Sequence, residues 1–295
     1  MSIHSILVVG AGLMGSGIAQ VCAQAGLRVS LYDVDQPALE KSLKSIAWSV
    51  EKLVEKGKVS EPSGKIMERI SPTGGLSAAG QAQLVIEAVF ENLQLKKEIF
   101  AQMDRQAGPE TLLASNTSAI SITELGAATK RPDRVLGLHF FSPVPMMQAV
   151  EVVRGISTSD ETFDAGQQFV RDIGKEPILV RRDIGGFLIN RINFMANTEA
   201  MRLVEEGVAT VEDIDKGLRL ASGRKMGIFE TGDMVGLDVT FGGLSAIYEE
   251  TKDPRFYPPM ILRRKVKAGE LGRKTGKGWY TYDEKGNRLG PAKVY

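Results

Sequence analysis

The sequence predicts an α/β fold: a doubly wound, mostly parallel sheet with a helical hairpin insertion, followed by an all-helical C-terminal domain. Short β-branched runs alternate with helical stretches up to about Arg182, which is typical of a parallel sheet covered by helices on both faces. Beyond Gly185-Gly186 the strand pattern stops and helical periodicity dominates. We therefore expect two domains, residues 1–184 and residues 185–295.

Seven apolar, β-branched runs are the predicted strands of the first domain. They cover residues 6–9, 29–32, 84–86, 112–114, 135–138, 149–153 and 178–180. Between the second and third strands, helical periodicity predicts helices over residues 37–56 and 62–70. This hairpin, residues 37–70, is larger than a crossover requires. It is a candidate binding appendage, and simple cover for the sheet is the alternative.

The second domain is predicted to be helical throughout. Its helical patterns cover residues 188–206, 211–220 and 239–250, with a glycine-rich region between the last two. These apolar faces are too many for a small isolated bundle to bury. We therefore expect a homodimer that forms through this domain, which would also contact the substrate.

The first predicted strand and helix are joined by a glycine-rich turn. Residues 6–9 lead into Gly10-Ala11-Gly12-Leu13-Met14-Gly15 and then into an uninterrupted helical pattern. Glycines at these three positions allow a tight turn, close approach of a pyrophosphate, and close packing of the helix on the strand. The next strand ends in Asp33, whose carboxylate suits ribose hydroxyls and disfavours a 2′-phosphate. The segment therefore predicts a Rossmann-type NAD site.

Composition excludes several other classes of function. The 295 residues include 37 basic and 36 acidic side chains, so there is no global field for nucleic acid or an anionic membrane. Residues 6–26 are uncharged, but their glycines and glutamines argue against a membrane helix. The single cysteine, Cys22, is predicted to be buried and unreactive, and no Cys/His cluster indicates a metal. We expect a cytoplasmic protein without metal, membrane or nucleic-acid partners.

One of the two histidines is placed for chemistry. His139 follows residues 135–138, at the carboxyl edge of a predicted strand, where open α/β sheets gather catalytic groups. Glu151 lies in the next strand-like run, where a carboxylate is costly to bury unless it is paired. If Glu151 holds the imidazole, His139 is a candidate proton acceptor for an alcohol being oxidised to a ketone. A structural histidine, with Glu151 on a solvent face, is the alternative.

Two further polar segments have open roles. Residues 115–118, Ser-Asn-Thr-Ser, follow a predicted strand. They either bond a substrate oxygen or form a helix cap or turn, and the residues alone favour the cap or turn. The tail from Leu271 sets glycines among basic residues before Trp279-Tyr280. It is either a loop that reaches back to the cofactor or a solvated end.

Six segments in this order point to one enzyme family: GAGLMGSGIAQ, VIEAVFENLQLKKEIF, ASNTSAISIT, GLHFFSPVPMMQAVEVV, FLINR and GRKTGKGWYTY. Over almost the whole chain they resemble the short-chain L-3-hydroxyacyl-CoA dehydrogenases, which include bacterial 3-hydroxybutyryl-CoA dehydrogenases. The resemblance implies reversible, NAD-dependent oxidation of an (S)-3-hydroxyacyl-CoA to a 3-ketoacyl-CoA. A short substrate such as 3-hydroxybutyryl-CoA is the first expectation, with a place in fatty acid and butanoate metabolism.

The resemblance also implies roles for individual residues. It makes His139 the general acid/base, with Glu151 as its partner. Ser118 then bonds the substrate oxygen, and Asn190 stabilises the developing enolate-like charge. The implied cofactor contacts are Gly10, Ala11, Gly12, Leu13, Met14, Gly15, Asp33, Glu91, Lys96, Ser118, Ser142 and Lys274. The implied coenzyme A contacts are Ser49, Lys56 and Ser118.

The chain departs from the family pattern at three places. Ser142 stands where the family usually has Asn after HFF, so its contact with the nicotinamide is expected to run through water. Gly185-Gly186 replaces a common Pro-Gly pair, which predicts a looser connection between the domains. The segment Lys225-Met226-Gly227-Ile228 lacks the family's flanking prolines, which leaves the acyl-chain preference open.

Two alternative functions follow from these departures and from related families. One is a dehydrogenase of a free hydroxy acid, similar to the gulonate dehydrogenases. Activity that depends on the CoA ester would exclude this alternative. The other is a catalytically silent NAD-binding protein of the crystallin type. The presence of both His139 and Glu151 argues against a silent protein.

Overall fold

The computed structural model describes residues 3–293, which form two compact units, one ending at Phe187 and the other beginning at Leu188. The strands of the first unit are β1 (Ser5–Val9), β2 (Arg28–Tyr32), β3 (Ile70–Pro72), β4 (Leu84–Glu87), β5 (Leu112–Ser115), β6 (Val135–Phe140), β7 (Ala149–Val153) and β8 (Glu176–Val180). Its α-helices are α1 (Leu13–Gln24), α2 (Gln36–Glu55), α3 (Ser63–Met67), α4 (Leu93–Gln106), α5 (Ile122–Ala127) and α6 (Asp160–Asp172).

All strands of the first unit belong to one sheet, in the order β3-β2-β1-β4-β5-β6-β7-β8. Neighbouring strands are parallel except β6 and β7. The predicted doubly wound, mostly parallel α/β sheet is therefore confirmed. The strand order reverses direction between β1 and β4, and ligands of such sheets bind at the carboxyl ends of the strands beside this point.

Two features of the sheet differ from a simple parallel pattern. Strands β6 and β7 run antiparallel because residues 141–148 are too few for a parallel crossover, which needs about a dozen residues or more. Strand β3 lies outside the predicted strands, because it has three residues and Pro72 offers no backbone N–H. It pairs only with β2, at the edge of the sheet, where a proline is tolerated.

The helical hairpin insertion consists of α2 and the shorter α3. Leu39, Ile46 and Val50 of α2, with Ile66 of α3, are buried in the same apolar core as the residues of α1. Helix α3 covers five residues rather than the nine that the sequence pattern predicts. One face of the hairpin thus covers the sheet, and the opposite face of α2 remains accessible.

The second unit is mainly helical. Its elements are α7 (Ile189–Glu205), α8 (Val211–Ser222), α9 (Ile228–Val235), α10 (Leu237–Thr251), α11 (Met260–Lys267), β9 (Tyr280–Tyr282) and β10 (Arg288–Pro291). The predicted helical C-terminal region is confirmed, but it is not all-helical, since β9 and β10 form a two-stranded antiparallel sheet. Helices α9 and α11 also lie outside the predicted helices. Helix α9 falls in the region that the sequence predicts only to be glycine-rich. In α11, four of the eight residues are basic, which weakens the apolar pattern.

The tail of the second unit is part of its core. Trp279 and Tyr280 are 2% and 1% exposed. The carboxylate of Asp233, on α9, accepts hydrogen bonds from their backbone N–H groups at 2.8 and 2.9 Å. Burial raises the pKa of Asp233, although these hydrogen bonds oppose the shift. The alternative of a solvated end is therefore wrong for this part of the tail.

Candidate active site

The glycine-rich turn between β1 and α1 has the geometry of a dinucleotide cradle. Gly10 has a φ of +105°, and a Cβ there would lie 2.6 Å from the carbonyl oxygen of Ala88. A Cβ on Gly15 would lie 1.8 Å from the carbonyl oxygen of Gly10, so the helix packs directly on the turn. Around Gly12, which precedes α1 and offers no side-chain cap, the space is open. The free N–H groups of the first helical turn can therefore receive a pyrophosphate.

Asp33 follows β2 and is fixed beside this turn. Its Oδ2 accepts a hydrogen bond from the backbone N–H of Ala11 at 2.7 Å, and its Oδ1 accepts one from Asp35 at 2.9 Å. A carboxylate in this position suits the hydroxyls of an adenosine ribose and repels a 2′-phosphate. The residues of the turn thus fit NAD rather than NADP.

His139 and Glu151 form a buried pair across β6 and β7. The antiparallel register sets the two residues directly opposite each other. Nδ1 of His139 lies 2.6 Å from Oε2 of Glu151, and the two residues are 4% and 0% exposed. A carboxylate at Nδ1 orients the ring, leaves Nε2 for proton exchange and stabilises an imidazolium.

The environment of the imidazole combines one hydroxyl with two aromatic rings. Oγ of Ser118, which follows β5, lies 3.2 Å from Nε2 of His139. The ring centroids of Phe141 and Phe187 lie 4.7 and 5.6 Å from that of the imidazole. Sequence reasoning missed both phenylalanines, although Phe141 stands in the HFF triplet. They shield the sides of the imidazole ring from water.

The segment 115–118 forms the turn that the residues alone favour, and its last residue faces the imidazole of His139. Oγ of Ser115 accepts a hydrogen bond from the N–H of Thr117, and Oγ1 of Thr117 accepts one from Ile120, so these hydroxyls stabilise the turn. Oδ1 of Asn116 accepts a hydrogen bond from the backbone N–H of Phe140 at 2.9 Å, which connects the turn to β6. Ser118 alone directs its hydroxyl to the imidazole.

Glu91 is hydrogen-bonded to this turn, and Lys96 is buried beside Glu91 and Glu87. Oε1 of Glu91 accepts hydrogen bonds from the backbone N–H groups of Ser118 and Ala119 at 2.9 and 3.1 Å. Lys96 is 1% exposed, and its amine lies 2.5 Å from Oε1 of Glu87, a buried carboxylate that sequence reasoning missed. The only sequence signal for Glu87 is its position directly after the predicted strand 84–86.

A lysine anchors the loop that contains Ser142. Ser142 is exposed in residues 141–148, between β6 and β7. The amine of Lys175 donates hydrogen bonds to the carbonyl oxygens of Val144 and Met147 at 2.8 and 2.6 Å. Burial lowers the pKa of this amine. The loop also lies tightly on α1, because a Cβ on Gly17 would approach Val144 to 2.7 Å. Ser142 is thus presented by a firmly held loop.

An open groove of about 360 Å³ lies between α1, the accessible face of α2 and this loop. Ser49 and Lys56 both line it, as the family resemblance implies for coenzyme A contacts. The lining also includes Lys52, Lys58, Trp48, Leu13, Pro143 and Met146. The groove combines three lysine ammonium groups with apolar side chains, which suits an anion with an apolar or aromatic body.

Two of the predicted site residues belong to the second unit. Asn190 is the second residue of α7 and is half-buried. Lys274 forms an ion pair with the carboxylate of Asp238, with distances of 2.6 and 2.7 Å. Their implied contacts with substrate and cofactor stay predictions.

Three observations concern other classes of function. Cys22 is completely buried in α1, and burial raises the pKa of its thiol. Within residues 3–293, no group of three or more His, Cys, Asp or Glu side chains is arranged to hold a metal ion. In the same range, no helix has the length and apolar character needed to cross a membrane.

Comparisons with known proteins agree with the geometry. Residues 5–184 match the family described as 3-hydroxyacyl-CoA dehydrogenase, NAD binding domain, and residues 186–282 match 3-hydroxyacyl-CoA dehydrogenase, C-terminal domain. A probable 3-hydroxybutyryl-CoA dehydrogenase of Bacillus subtilis (strain 168) is 43% identical over 286 residues, which cover 97% of this chain and 99% of the relative.

Solved structures give the same result. The crystal structure of (S)-3-hydroxybutyryl-CoA dehydrogenase from Ralstonia eutropha has a TM-score of 0.92 and 41% identity, covering 96% of this chain and all of that one. A diketoreductase that acts on dicarbonyl compounds has a TM-score of 0.82 and 31% identity, covering 96% of this chain and all of that one. The family matches span both units of the chain, and the relatives are similar over nearly their full lengths. The chain therefore belongs to the 3-hydroxyacyl-CoA dehydrogenase family of NAD-dependent oxidoreductases.

Proposed function

We propose that this enzyme interconverts (S)-3-hydroxybutyryl-CoA and acetoacetyl-CoA. The observation that carries the proposal is the pair of His139 and Glu151, with the Ser118 hydroxyl 3.2 Å from Nε2, at the edge of the sheet where β1 leads into the dinucleotide turn. A short acyl group is supported by the names of the Bacillus and Ralstonia relatives, whose identities to this chain are 43% and 41%.

His139 and Glu151 carry the proton chemistry. Bound NAD⁺ supplies the acceptor for the hydride that leaves C3 of the substrate. Nε2 of His139 accepts the proton of the C3 hydroxyl, and Glu151 stabilises the imidazolium that results. In the reverse direction the imidazolium returns this proton to the 3-keto oxygen. The Ser118 hydroxyl bonds the substrate oxygen as its charge changes.

The cofactor site is proposed to consist of residues 10–15, with Asp33, Glu91, Lys96, Ser118 and Ser142. The glycine turn offers backbone N–H groups for the pyrophosphate, and Asp33 offers a carboxylate for the ribose. Support comes from the close approaches at Gly10 and Gly15, which a side chain would block. The family resemblance also implies a cofactor contact for Lys274 and a substrate contact for Asn190, and both stay predictions.

The groove on α2 is proposed to bind the coenzyme A moiety. Lys56 suits a phosphate because an ammonium is an effective point charge for one, and Ser49 adds a hydrogen-bonding hydroxyl. Trp48, 63% exposed, offers an aromatic face in the same groove. Binding energy from this distant part of the substrate helps to hold C3 in place at His139.

A homodimer through the second unit is proposed as well. Several apolar side chains of this unit are more than half exposed, which supports a partner surface: Ile192, Val208, Leu220, Met234 and Val239. Light scattering after size exclusion should give twice the mass of the chain. The proposed domain roles, with residues 1–184 for NAD and 185–295 for substrate and dimerisation, and a cytoplasmic location stay predictions.

The test of the substrate is an activity panel. NADH consumption is followed with acetoacetyl-CoA, longer 3-ketoacyl-CoAs, free acetoacetate and a simple dicarbonyl compound. We expect the highest kcat/KM with acetoacetyl-CoA. Equal activity on the free acid or dicarbonyl would favour the hydroxy acid or diketoreductase alternative. Intact NADH binding without turnover of any member would favour the silent, crystallin-type protein.

A further inference from the structure

A buried ionic cluster lies beneath the candidate active site and has no part in the proton chemistry. Glu87 ends β4 and is 0% exposed. Its Oε1 accepts hydrogen bonds from the amine of Lys96 at 2.5 Å and the N–H of Val89 at 2.7 Å. Its Oε2 accepts one from the hydroxyl of Ser115 at 2.6 Å. A carboxylate with this many donors is held in one orientation, because a buried charge is costly without its partners.

The amine of Lys96 is directed entirely into this cluster. An ammonium has three N–H donors. They face Oε1 of Glu87, the carbonyl oxygen of Val89 at 3.2 Å, and Oε2 of Glu91 at 3.4 Å. With the side chain 1% exposed, these protein groups surround the amine. The cofactor contact that the family resemblance implies for Lys96 stays a prediction.

Glu91 carries the connection onward to the reacting groups. One of its oxygens faces Lys96, while the other accepts hydrogen bonds from the backbone N–H groups of Ser118 and Ala119 and from the hydroxyl of Thr117 at 2.5 Å. The Ser118 hydroxyl, on the same turn, meets the imidazole. Lys96 and the Ser118 turn are thus linked through a single carboxylate, that of Glu91, whose side chain is 43% exposed.

We propose that Lys96, oriented by Glu87, is a positioning residue that fixes Glu91 and thereby places the Ser118 hydroxyl against Nε2 of His139. The inference rests on the proposed function for the reaction that Ser118 serves. Its structural part concerns the free protein and does not depend on the identity of the acyl group. A small displacement of a reacting group is enough to slow an enzyme strongly, so a loosened turn should lower kcat.

Amide hydrogen exchange tests the structural part. We compare Lys96→Met with Lys97→Met, a matched control on the same helix whose amine pairs with Glu124 at 2.7 Å. In Lys96→Met, exchange at the Ser118 and Ala119 amides should rise by about tenfold or more, because their acceptor has lost its anchor. In Lys97→Met it should stay at the wild-type rate. Unchanged exchange in Lys96→Met would overturn the proposal.

A milder variant covers the case in which Lys96→Met does not fold. Glu87→Gln keeps the shape of the side chain, and its amide N–H can donate to the Ser115 hydroxyl, but it removes the charge that holds the Lys96 amine. It should raise exchange at the same two amides, to a smaller extent. Exchange that rises equally across β5 and α5 would indicate general loosening and contradict the proposal.

A double-mutant cycle tests the functional part. Lys96→Met should lower kcat for acetoacetyl-CoA reduction by about tenfold in the wild-type background but by less than about twofold in Ser118→Ala, because both act through one hydroxyl. If the losses of kcat in the two single variants multiply in the double variant, Lys96 acts elsewhere than on the Ser118 hydroxyl. A large rise in the Kd for NADH, with unchanged amide exchange, would show a direct cofactor contact and overturn the inference. Failure of the substrate proposal would instead appear in the activity panel of the wild-type enzyme.

Discussion

Replacing Glu151 by glutamine should uncouple the cofactor site from the proton chemistry. The amide has nearly the same shape as the carboxylate, so the strand pair and the neighbouring core remain. It lacks the negative charge that stabilises the imidazolium formed when His139 accepts the hydroxyl proton. We therefore expect kcat to fall in both directions, while the KM for NADH and for acetoacetyl-CoA changes little.

The size of the loss follows from the geometry. The two groups are buried and 2.6 Å apart between Nδ1 and Oε2. With charge centres roughly 4 Å apart and an effective dielectric constant of about 20, the attraction is about 4 kcal/mol. Each ~1.4 kcal/mol is a tenfold change in rate, and the amide keeps part of the hydrogen bond. The expected decrease in kcat is therefore about 100- to 1000-fold.

The assay is stopped-flow measurement of NADH consumption with saturating acetoacetyl-CoA. Asp104→Asn is the matched control. Asp104, in the last turn of α4, is also a buried carboxylate, and its Oδ1 lies 2.7 Å from Nε of Arg131. It should lower the Tm but leave kcat near the wild-type value. A Glu151→Gln enzyme with kcat within about threefold of wild type would refute the assigned role.

Three further predictions concern the groove and the core. Lys56→Ala should raise the KM for acetoacetyl-CoA by about tenfold, with a smaller effect on kcat, because it removes one charge from a phosphate site. The control is Lys44→Ala, since Lys44 is exposed on α2 outside the groove. Equal KM values for Lys56→Ala and wild type would exclude the groove as the coenzyme A site. Trp48 emission should change when CoA binds, since Trp279 is buried; a change that persists in Trp48→Phe would contradict stacking in the groove. Iodoacetamide should leave Cys22 unmodified until urea unfolds the protein, because burial raises its thiol pKa, and rapid native alkylation would contradict this burial.

Much of the first unit follows from local sequence patterns. The seven predicted strands are present, because β-branched runs between helical stretches have few other ways to be buried. The glycine turn is equally predictable, since its three glycines mark positions where a side chain would clash or block a ligand. Strand β3 and helix α11 are weaker, because a three-residue edge strand and a largely basic helix carry little periodic signal.

The candidate site was predictable in its residues but not in its distances. His139 and Glu151 are recognisable because both are polar groups in apolar runs. Their direct opposition depends on the antiparallel return of β7, which a parallel pattern does not predict. The cluster of Glu87, Lys96 and Ser115 is harder still. It joins side chains of β4, α4 and β5, and a buried ion pair leaves no periodic signal.

Transfer of isotope from the substrate tests the central claim most directly. Wild-type enzyme is incubated with NAD⁺ and (S)-3-hydroxybutyryl-CoA that carries deuterium at C3, and the NADH formed is analysed by mass spectrometry. We expect deuterated NADH from the wild-type enzyme, and His139→Gln should form it at least about 100-fold more slowly. Unlabelled NADH, or a His139→Gln variant that transfers deuterium at the wild-type rate, would contradict hydride transfer from C3 with His139 as the base.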